Sequence, residues 1–179
     1  MTSRGIIISI WAKKMIKTIV NSGPIASKMP TGTAITRNQS AAILVQNLTD
    51  EKPIRFHSAS FILDSSLVLD DCTITLSLCE WPNNSSLIKE RCVESNSFGL
   101  PRSRKKVNAE WQSQLNPLLN TSIPYWLVME GNSLDFDHSF SWMDAANFKA
   151  STAFSTDGSW TITKDTIGAS TLVFTVIVD

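Results

Sequence analysis

The sequence has few charged residues, few histidines and no long apolar run, and each shortage excludes a class of protein. Charged residues make up 18% of the 179 positions, against about 25% in average globular proteins. Sixteen basic and sixteen acidic residues balance, which excludes a generic polyanion binder and an acidic disordered tail. No apolar run reaches the roughly 18 residues of a membrane-spanning helix. With two histidines and no Gly-x-Ser-x-Gly, His-Glu-x-x-His or phosphate-binding glycine loop, the sequence predicts a protein that is not an enzyme.

Cysteine is also scarce, and the odd number of cysteines prevents complete internal pairing. Cys72 and Cys79 fall in one predicted strand, where full extension would place them roughly 23 Å apart, too far to bond. Cys79 and Cys92 could meet across a hairpin. The favoured interpretation is that all three are buried free thiols, with the Cys79–Cys92 pairing left as the alternative. No spacing of cysteine and histidine predicts a zinc site.

Serine and threonine are abundant, at 24 and 16 residues, and the apolar residues between them follow strand patterns. Residues 41–47 form an apolar run typical of a strand buried on both faces. Alternation places Ile74, Leu76 and Leu78 on one face of a strand, and Leu172, Phe174, Val176 and Val178 on one face of the last. Further strands are predicted at 54–63, 87–93, 123–130, 140–142 and 159–162, and one short helix at 111–119. The prediction is an all-β, antiparallel, jelly-roll-like sandwich over residues 41–179.

The chain preceding residue 41 is predicted to be a basic N-terminal arm and a turn-rich lead-in. Residues 1–28 hold five bases and no acid, for a charge of +5, and the remaining eleven bases and sixteen acids leave −5. A basic arm on an acidic body is typical of docking to a partner, and the alternative is a solvated tail. Lysines 13 and 14 follow the apolar residues 5–12, an order that argues against a signal peptide. The start of translation is open between Met1 and Met15.

Two groups of residues are therefore candidates for contact with neighbouring subunits. The arm is expected to add a strand to a neighbour, and the basic run at 102–106 to meet an acidic subunit, a phosphate or a sulfated glycan; a solvated loop is the alternative for that run. No aromatic residue is interleaved in the run, so nucleic acid is not predicted as a partner. The candidates are Arg4, Trp11, Lys13, Lys14, Lys17, Arg102, Arg104, Lys105 and Lys106.

The six tryptophans suggest a surface that binds carbohydrate, because flat aromatic rings stack on the apolar faces of sugars. Trp81, Trp111 and Trp142 lie near predicted turns and are the glycan-binding candidates. Trp126 and Trp160 lie within predicted strands, where packing in the core is expected.

Acidic side chains cluster between two predicted strands, at Asp135, Asp137 and Asp144, with His138 among them. A solvated polar loop is the favoured interpretation. A calcium ion held by Asp135 and Asp137 is the alternative, and acid–base catalysis is a weaker one. No other metal and no cofactor is predicted.

The order of elements from residue 41 onward resembles the β-sandwich modules of secreted bacterial and phage proteins, including carbohydrate-binding-type jelly rolls and surface-anchored domains. The resemblance rests on residues 54–61, 73–78 and 118–129, the isolated Trp142, Gly158-Ser159-Trp160 and the apolar last strand. The usual glycine between the central strands is missing, and the basic arm is not part of the pattern. Such modules serve as binding modules, adhesins and structural parts, so the resemblance implies fold and no catalytic residue.

These observations together predict a non-catalytic structural or attachment subunit of a large extracellular particle, of the phage tail, baseplate or capsid-decoration type. We expect it to contact neighbouring subunits through the arm, as a homo-oligomer or in a hetero-assembly, and host surface glycan through the sandwich. A soluble or cell-surface glycan-binding module is the alternative function. The expected location is a virion or extracellular particle.

Overall fold

A computed structural model describes residues 14–25, 31–46, 48, 53–68, 72–82, 88–89, 91–103 and 106–178. These residues form thirteen β-strands and one 3-10 turn, Phe136–His138. The strands are β1 Met15–Asn21, β2 Gly32–Ile35, β3 Gln39–Val45, β4 Ile54–Asp64, β5 Thr73–Glu80, β6 Arg91–Gly99, β7 Val107–Gln112, β8 Leu118–Leu119, β9 Tyr125–Gly131, β10 Phe140–Met143, β11 Lys149–Thr156, β12 Ser159–Ile167 and β13 Val173–Val178.

The strands form two antiparallel sheets packed face to face, which confirms the predicted sandwich. The first sheet has the order β1-β13-β4-β10-β2, with β7 and β8 along the other edge of β4. The second sheet has the order β12-β11-β3-β9-β5-β6. From β3 to β5, and again from β8 to β11, consecutive strands alternate between the sheets. Such crossing connections are typical of Greek-key and jelly-roll sandwiches.

The main core lies between the sheets and is built by alternate residues of each strand, because successive side chains point to opposite faces. The inward positions predicted on β5 (Ile74, Leu76, Leu78) all belong to this core. So do Leu172 and the alternate residues of β13 that follow it. The alternation seen in the sequence therefore gave the correct inward face for both strands.

The second sheet carries a further apolar cluster on its outer face. In β3, Ala41, Ile43 and Val45 join the main core, whereas Ala42 and Leu44 join the outer cluster. The prediction of a strand buried on both faces is thus confirmed. Strand β9 divides in the same way, and its outward Trp126 packs edge-on against Trp81, with ring centroids 5.3 Å apart.

Two stretches of the predicted lead-in are strands of the sandwich itself. Strand β1 pairs antiparallel with β13 of its own chain, from Met15 opposite Val178 to Asn21 opposite Val173. Strand β2 pairs with β10. Residues 15–21 of the arm therefore complete a sheet of their own chain, and the expectation that the arm adds a strand to a neighbour stays a prediction for the other edge of β1.

The helix predicted at residues 111–119 is wrong, because a buried carboxylate organises that segment as a turn. Glu94 on β6 is 6% exposed and accepts hydrogen bonds from the Ser113 hydroxyl at 2.5 Å and the Gln114 amide at 2.9 Å. Asn116 adopts a positive φ of 45°, and Pro117 cannot donate to a helix. The segment leaves β7 and re-enters the first sheet as β8.

Cys79 and Cys92 face each other across β5 and β6 and form a disulfide, whereas Cys72 is a buried free thiol. The favoured interpretation of three free thiols is correct for Cys72 and wrong for the other two. Spacing alone did not decide the question, because the register of the hairpin was unknown. A bulge between Leu78 and Cys79 sets that register.

Candidate functional site

The described residues form an open cleft of about 620 Å³ on the outer face of the second sheet. We call it the outer cleft. Its size falls in the usual range of about 300–1,000 Å³ for small-molecule sites. Strands β3, β9, β11 and β12 supply its floor, two tight turns form one rim, and Ile88 and Lys89 form a wall. Its lining is Arg37, Asn38, Ser40, Ile88, Lys89, Glu130, Ser155, Asp157, Gly158 and Trp160.

The rim is a pair of two-residue turns joined to each other, which we call the turn ridge (residues 36–39 and 156–159). The second turn has Asp157 at φ 51° and Gly158 at φ 84°, the positive values that a tight hairpin of this twist requires. The amide of Asp157 donates to the Asn38 carbonyl at 2.9 Å. The Thr36 hydroxyl accepts from the amides of the first turn. The ridge is thus fixed by backbone geometry.

The wall formed by Ile88 and Lys89 is held by one apolar contact and one ion pair. Ile88 is fully buried in the outer apolar cluster. The next residue, Lys89, places its ammonium nitrogen 2.6 Å from a carboxylate oxygen of Glu130 on β9. In the sequence, Ile88 and Lys89 lie between the two cysteines of the disulfide, within the loop that this bond closes.

Trp160 is the aromatic side chain in the outer cleft. It lies second in β12, opposite Ser155 of β11. It packs against the outer apolar cluster but is only partly buried. An indole that is packed on one side and open on the other offers a flat apolar surface in a fixed position.

The groups around Trp160 can donate and accept hydrogen bonds in many directions. Arg37 and Lys89 are donors, Glu130 and Asp157 are acceptors, and Asn38 is both. Two cations and two anions leave the outer cleft without net charge. A flat apolar ring among balanced polar groups suits a neutral, hydroxyl-rich ligand better than a strongly charged one.

The three tryptophans predicted to bind glycan are buried, so that prediction is corrected. Trp81, Trp111 and Trp142 are 7%, 1% and 0% exposed. Trp111 packs edge-on against Phe56 at 4.8 Å, and the Trp142 indole donates to the Thr171 carbonyl at 2.7 Å. A ring packed on its faces has no surface left for a sugar. Nearness to a predicted turn did not make them exposed, because Trp111 and Trp142 lie within β7 and β10 and Trp81 follows β5 directly.

Two residues of the predicted acidic cluster, Asp135 and Asp144, form hydrogen bonds with different partners. One oxygen of Asp135 lies 3.0 Å from the His138 amide, which donates to it, and 2.8 Å from His138 Nδ1. Asp144 accepts from the Thr31 hydroxyl at 2.8 Å. Asp137 is exposed. Within the described residues no group of three acidic, histidine or cysteine side chains is placed to hold a metal. Calcium at Asp135 and Asp137 stays a prediction.

Some of the basic candidates for contact with neighbouring subunits lie among the residues that the structure describes, and others lie outside them. Lys14 and Lys17 lie at and just inside the start of β1 and are exposed. Arg102 donates through Nε to the Ser66 carbonyl at 3.3 Å, and Lys106 is exposed before β7. Arg4, Trp11, Lys13, Arg104 and Lys105 lie outside the described residues. Subunit contact through these side chains stays a prediction.

Sequence reasoning missed every residue that lines the outer cleft. Trp160 was expected in the core, and strand β11 was not predicted at all. The available signal was Asp157-Gly158, a strong hairpin turn, which makes β12 the partner of a preceding strand and places Trp160 one pair from the hairpin end. The other lining residues come from positions far apart in the sequence.

Comparisons with known proteins leave the chain without a family. No family model and no curated protein matches it. Among solved structures, a chain in the structure of the infectious bursal disease virus Gx strain is similar, with 13% identity and a TM-score of 0.36 over 99% of this chain. This chain spans about 40% of that chain's length. A likeness at this level says nothing about the function of this protein.

The resemblance to carbohydrate-binding and surface modules stays a prediction, since none of these comparisons bears on it. Within the described ranges, no helix has the length and apolar character needed to cross a bilayer.

Proposed function

We propose that this protein is a non-catalytic attachment component that binds a carbohydrate in the outer cleft. The observation that carries the proposal is the partly open indole of Trp160, packed against the outer cluster and set among polar groups of both signs. Sugars need an apolar surface for one face of the ring and several hydrogen-bond partners for its hydroxyls. The outer cleft supplies both.

The rigidity of the outer cleft supports a binding role. The turn ridge is fixed by backbone hydrogen bonds, and the wall by an ion pair and a disulfide. A preformed site loses less conformational entropy when its ligand binds. Glu130, one of the two carboxylates in the lining, is held by its ion pair with Lys89. A carboxylate fixed in this way suits a group that positions the ligand.

A glycan microarray probed with the full chain tests the proposal. Carbohydrate binding predicts a restricted set of glycans that retain the protein, and the loss of that set in a Trp160→Ala variant. The matched control is Ile167→Ala, an exposed apolar residue at the far end of the same strand. Mass spectrometry of the retained glycans before and after incubation tests the non-catalytic part, since a binding protein leaves them unchanged.

We also propose that the protein works within a larger assembly and contacts a second copy or another subunit through the edge of β1 that faces away from β13. Among the described residues, β1 pairs only with β13. Its Met15 and Ile16 are 59% and 60% exposed. Edge strands with exposed apolar side chains are templates for pairing with another chain.

Sedimentation velocity of the purified protein tests the assembly proposal for a second copy. The expected result is a concentration-dependent oligomer, which Ile16→Asp converts to monomer without loss of the far-ultraviolet circular dichroism of the sandwich. For another subunit, co-sedimentation with a large particle from the native source is expected, and Ile16→Asp removes it. A chain that sediments as a monomer at every concentration and apart from any particle contradicts the assembly role.

A further inference from the structure

We infer that the ligand is a glycan chain rather than a terminal sugar, and that it crosses the turn ridge from Trp160 to Phe136. The inference rests on the proposed function and specifies its ligand. The structural basis is a second cleft, of about 360 Å³, on the other side of the ridge. We call it the end cleft.

The two clefts are joined by shared residues. Asn38 and Asp157 line both of them, and the hydrogen bond from the Asp157 amide to the Asn38 carbonyl makes these residues the crest between the clefts. Both side chains are exposed. A ligand that fills the outer cleft and extends over the crest therefore meets an amide and a carboxylate, which are partners for sugar hydroxyls.

The end cleft repeats the chemistry of the outer cleft. Phe136 is 60% exposed and Leu134 is 67% exposed, and both line it. An exposed aromatic ring next to polar groups is the same combination that Trp160 provides on the other side.

Phe136 is held in place although it is exposed. It begins the 3-10 turn, whose preceding residue, Asp135, accepts a hydrogen bond from the His138 amide at 3.0 Å. The carbonyl of Phe136 accepts from the Ser139 hydroxyl at 2.9 Å. The carbonyl of Phe136 is therefore satisfied within the turn, and its ring is among the exposed large apolar side chains of the described residues.

Two aromatic positions separated by a polar crest predict that affinity depends on the length of the glycan. A short ligand engages Trp160 alone. A longer one engages both rings, and the second contact is intramolecular once the first has formed, which raises affinity without any change at the first site.

The test uses the full chain and an array that carries size-graded oligosaccharide series, from monosaccharide to octasaccharide. The wild type should bind the longer members of one series at least about tenfold more tightly than its disaccharide, the gain expected from a second linked contact. Phe136→Ala should remove this gain and leave disaccharide binding unchanged. Trp160→Ala should weaken binding to every member, and Ile167→Ala should match the wild type.

The experiment distinguishes a failure of this inference from a failure of the proposed function. The inferred path of the glycan across the turn ridge is overturned if the disaccharide and the longer members bind with equal affinity. It is also overturned if Phe136→Ala retains the gain with length. Either result leaves carbohydrate binding in place. Absence of binding to any member overturns both the proposed carbohydrate binding and the inferred path of the glycan across the turn ridge. Phe136 lies outside the core, so its truncation leaves a folded protein; thermal melts of both variants verify this directly.

Discussion

The ammonium nitrogen of Lys89 lies 2.6 Å from a carboxylate oxygen of Glu130, and this contact ties the wall of the outer cleft to its floor. Both side chains remain partly exposed, at 39% and 30%. An ion pair in that environment contributes only about 0–1 kcal/mol to stability. The wall therefore depends mainly on its other two anchors, the buried Ile88 and the disulfide that closes the loop containing it.

Reduction of the Cys79–Cys92 disulfide should lower both stability and ligand affinity. The bond closes a loop with a sequence separation of 13, for which the loop-entropy relation gives about 3 kcal/mol. Ile88 and Lys89 lie within this loop, so its release frees the wall of the outer cleft. Urea unfolding with and without a thiol reductant measures the first effect, and titration of an array-identified glycan measures the second.

Cys72→Ala is the matched control for the reduction experiment, because Cys72 is a free thiol outside the loop. It should keep the full response to the reductant, whereas Cys79→Ala/Cys92→Ala should show none. A double variant as stable as the oxidised wild type would contradict the assigned role of the disulfide.

Replacement of Glu94 by Ala should lower the free energy of unfolding by about 1.5–3 kcal/mol, the range for hydrogen bonds to a charged group. The buried carboxylate is the acceptor for the Ser113 hydroxyl and the Gln114 amide, and these donors would lose their partner. Denaturant unfolding of Glu94→Ala, Ser113→Ala and the double variant measures the coupling. Strict additivity of the two single effects would show that the carboxylate does not organise this turn.

Stability should fall at alkaline pH because of Tyr125. Burial raises the pKa of its phenol above the ordinary value; nearby Glu80 acts in the same direction, and the hydrogen bond from the Asn120 amide opposes both. The fold therefore favours the protonated phenol. This contribution is fully present below the unfolded pKa of about 10 and is lost as pH rises through the higher folded pKa.

The alkaline effect can be isolated, because Tyr125 is the only tyrosine and its phenolate absorbance reports its ionisation directly. The stability difference between the wild type and Tyr125→Phe should shift in favour of the variant from about pH 8 to about pH 11. Parallel stability curves for the two proteins across this range would contradict the assignment.

Strands buried on one or both faces were predictable, because apolar residues occupy the buried positions and so appear as an apolar run or as an alternating pattern. Residues 41–45 and the alternate positions of β5 and β13 are examples. Strand β11 was not predicted, since its small and polar residues carry no apolar alternation. Its structure comes from pairing with β3 and β12, which is a tertiary effect.

The candidate site was not predictable from local pattern, because exposure of an aromatic ring depends on what the rest of the chain places over it. Trp142 and Trp160 both follow a serine within a strand, Trp142 in β10 and Trp160 in β12. Trp142 is enclosed by the first sheet and fully buried, whereas Trp160 lies near the outer edge of the second and is partly open. The residues that meet at the outer cleft come from the turn before β3, from β9, from the β11–β12 hairpin and from the segment between β5 and β6.

Calorimetric titration of the full chain with its best array-identified glycan, carried out in parallel on Trp160→Ala and Ile167→Ala, tests the central claim most directly. The account predicts that Trp160→Ala weakens binding by at least about tenfold, or about 1.4 kcal/mol. Ile167→Ala should bind like the wild type, and all three proteins should melt as folded sandwiches. Equal affinity in the wild type and a folded Trp160→Ala variant would contradict the claim that the outer cleft is the carbohydrate site.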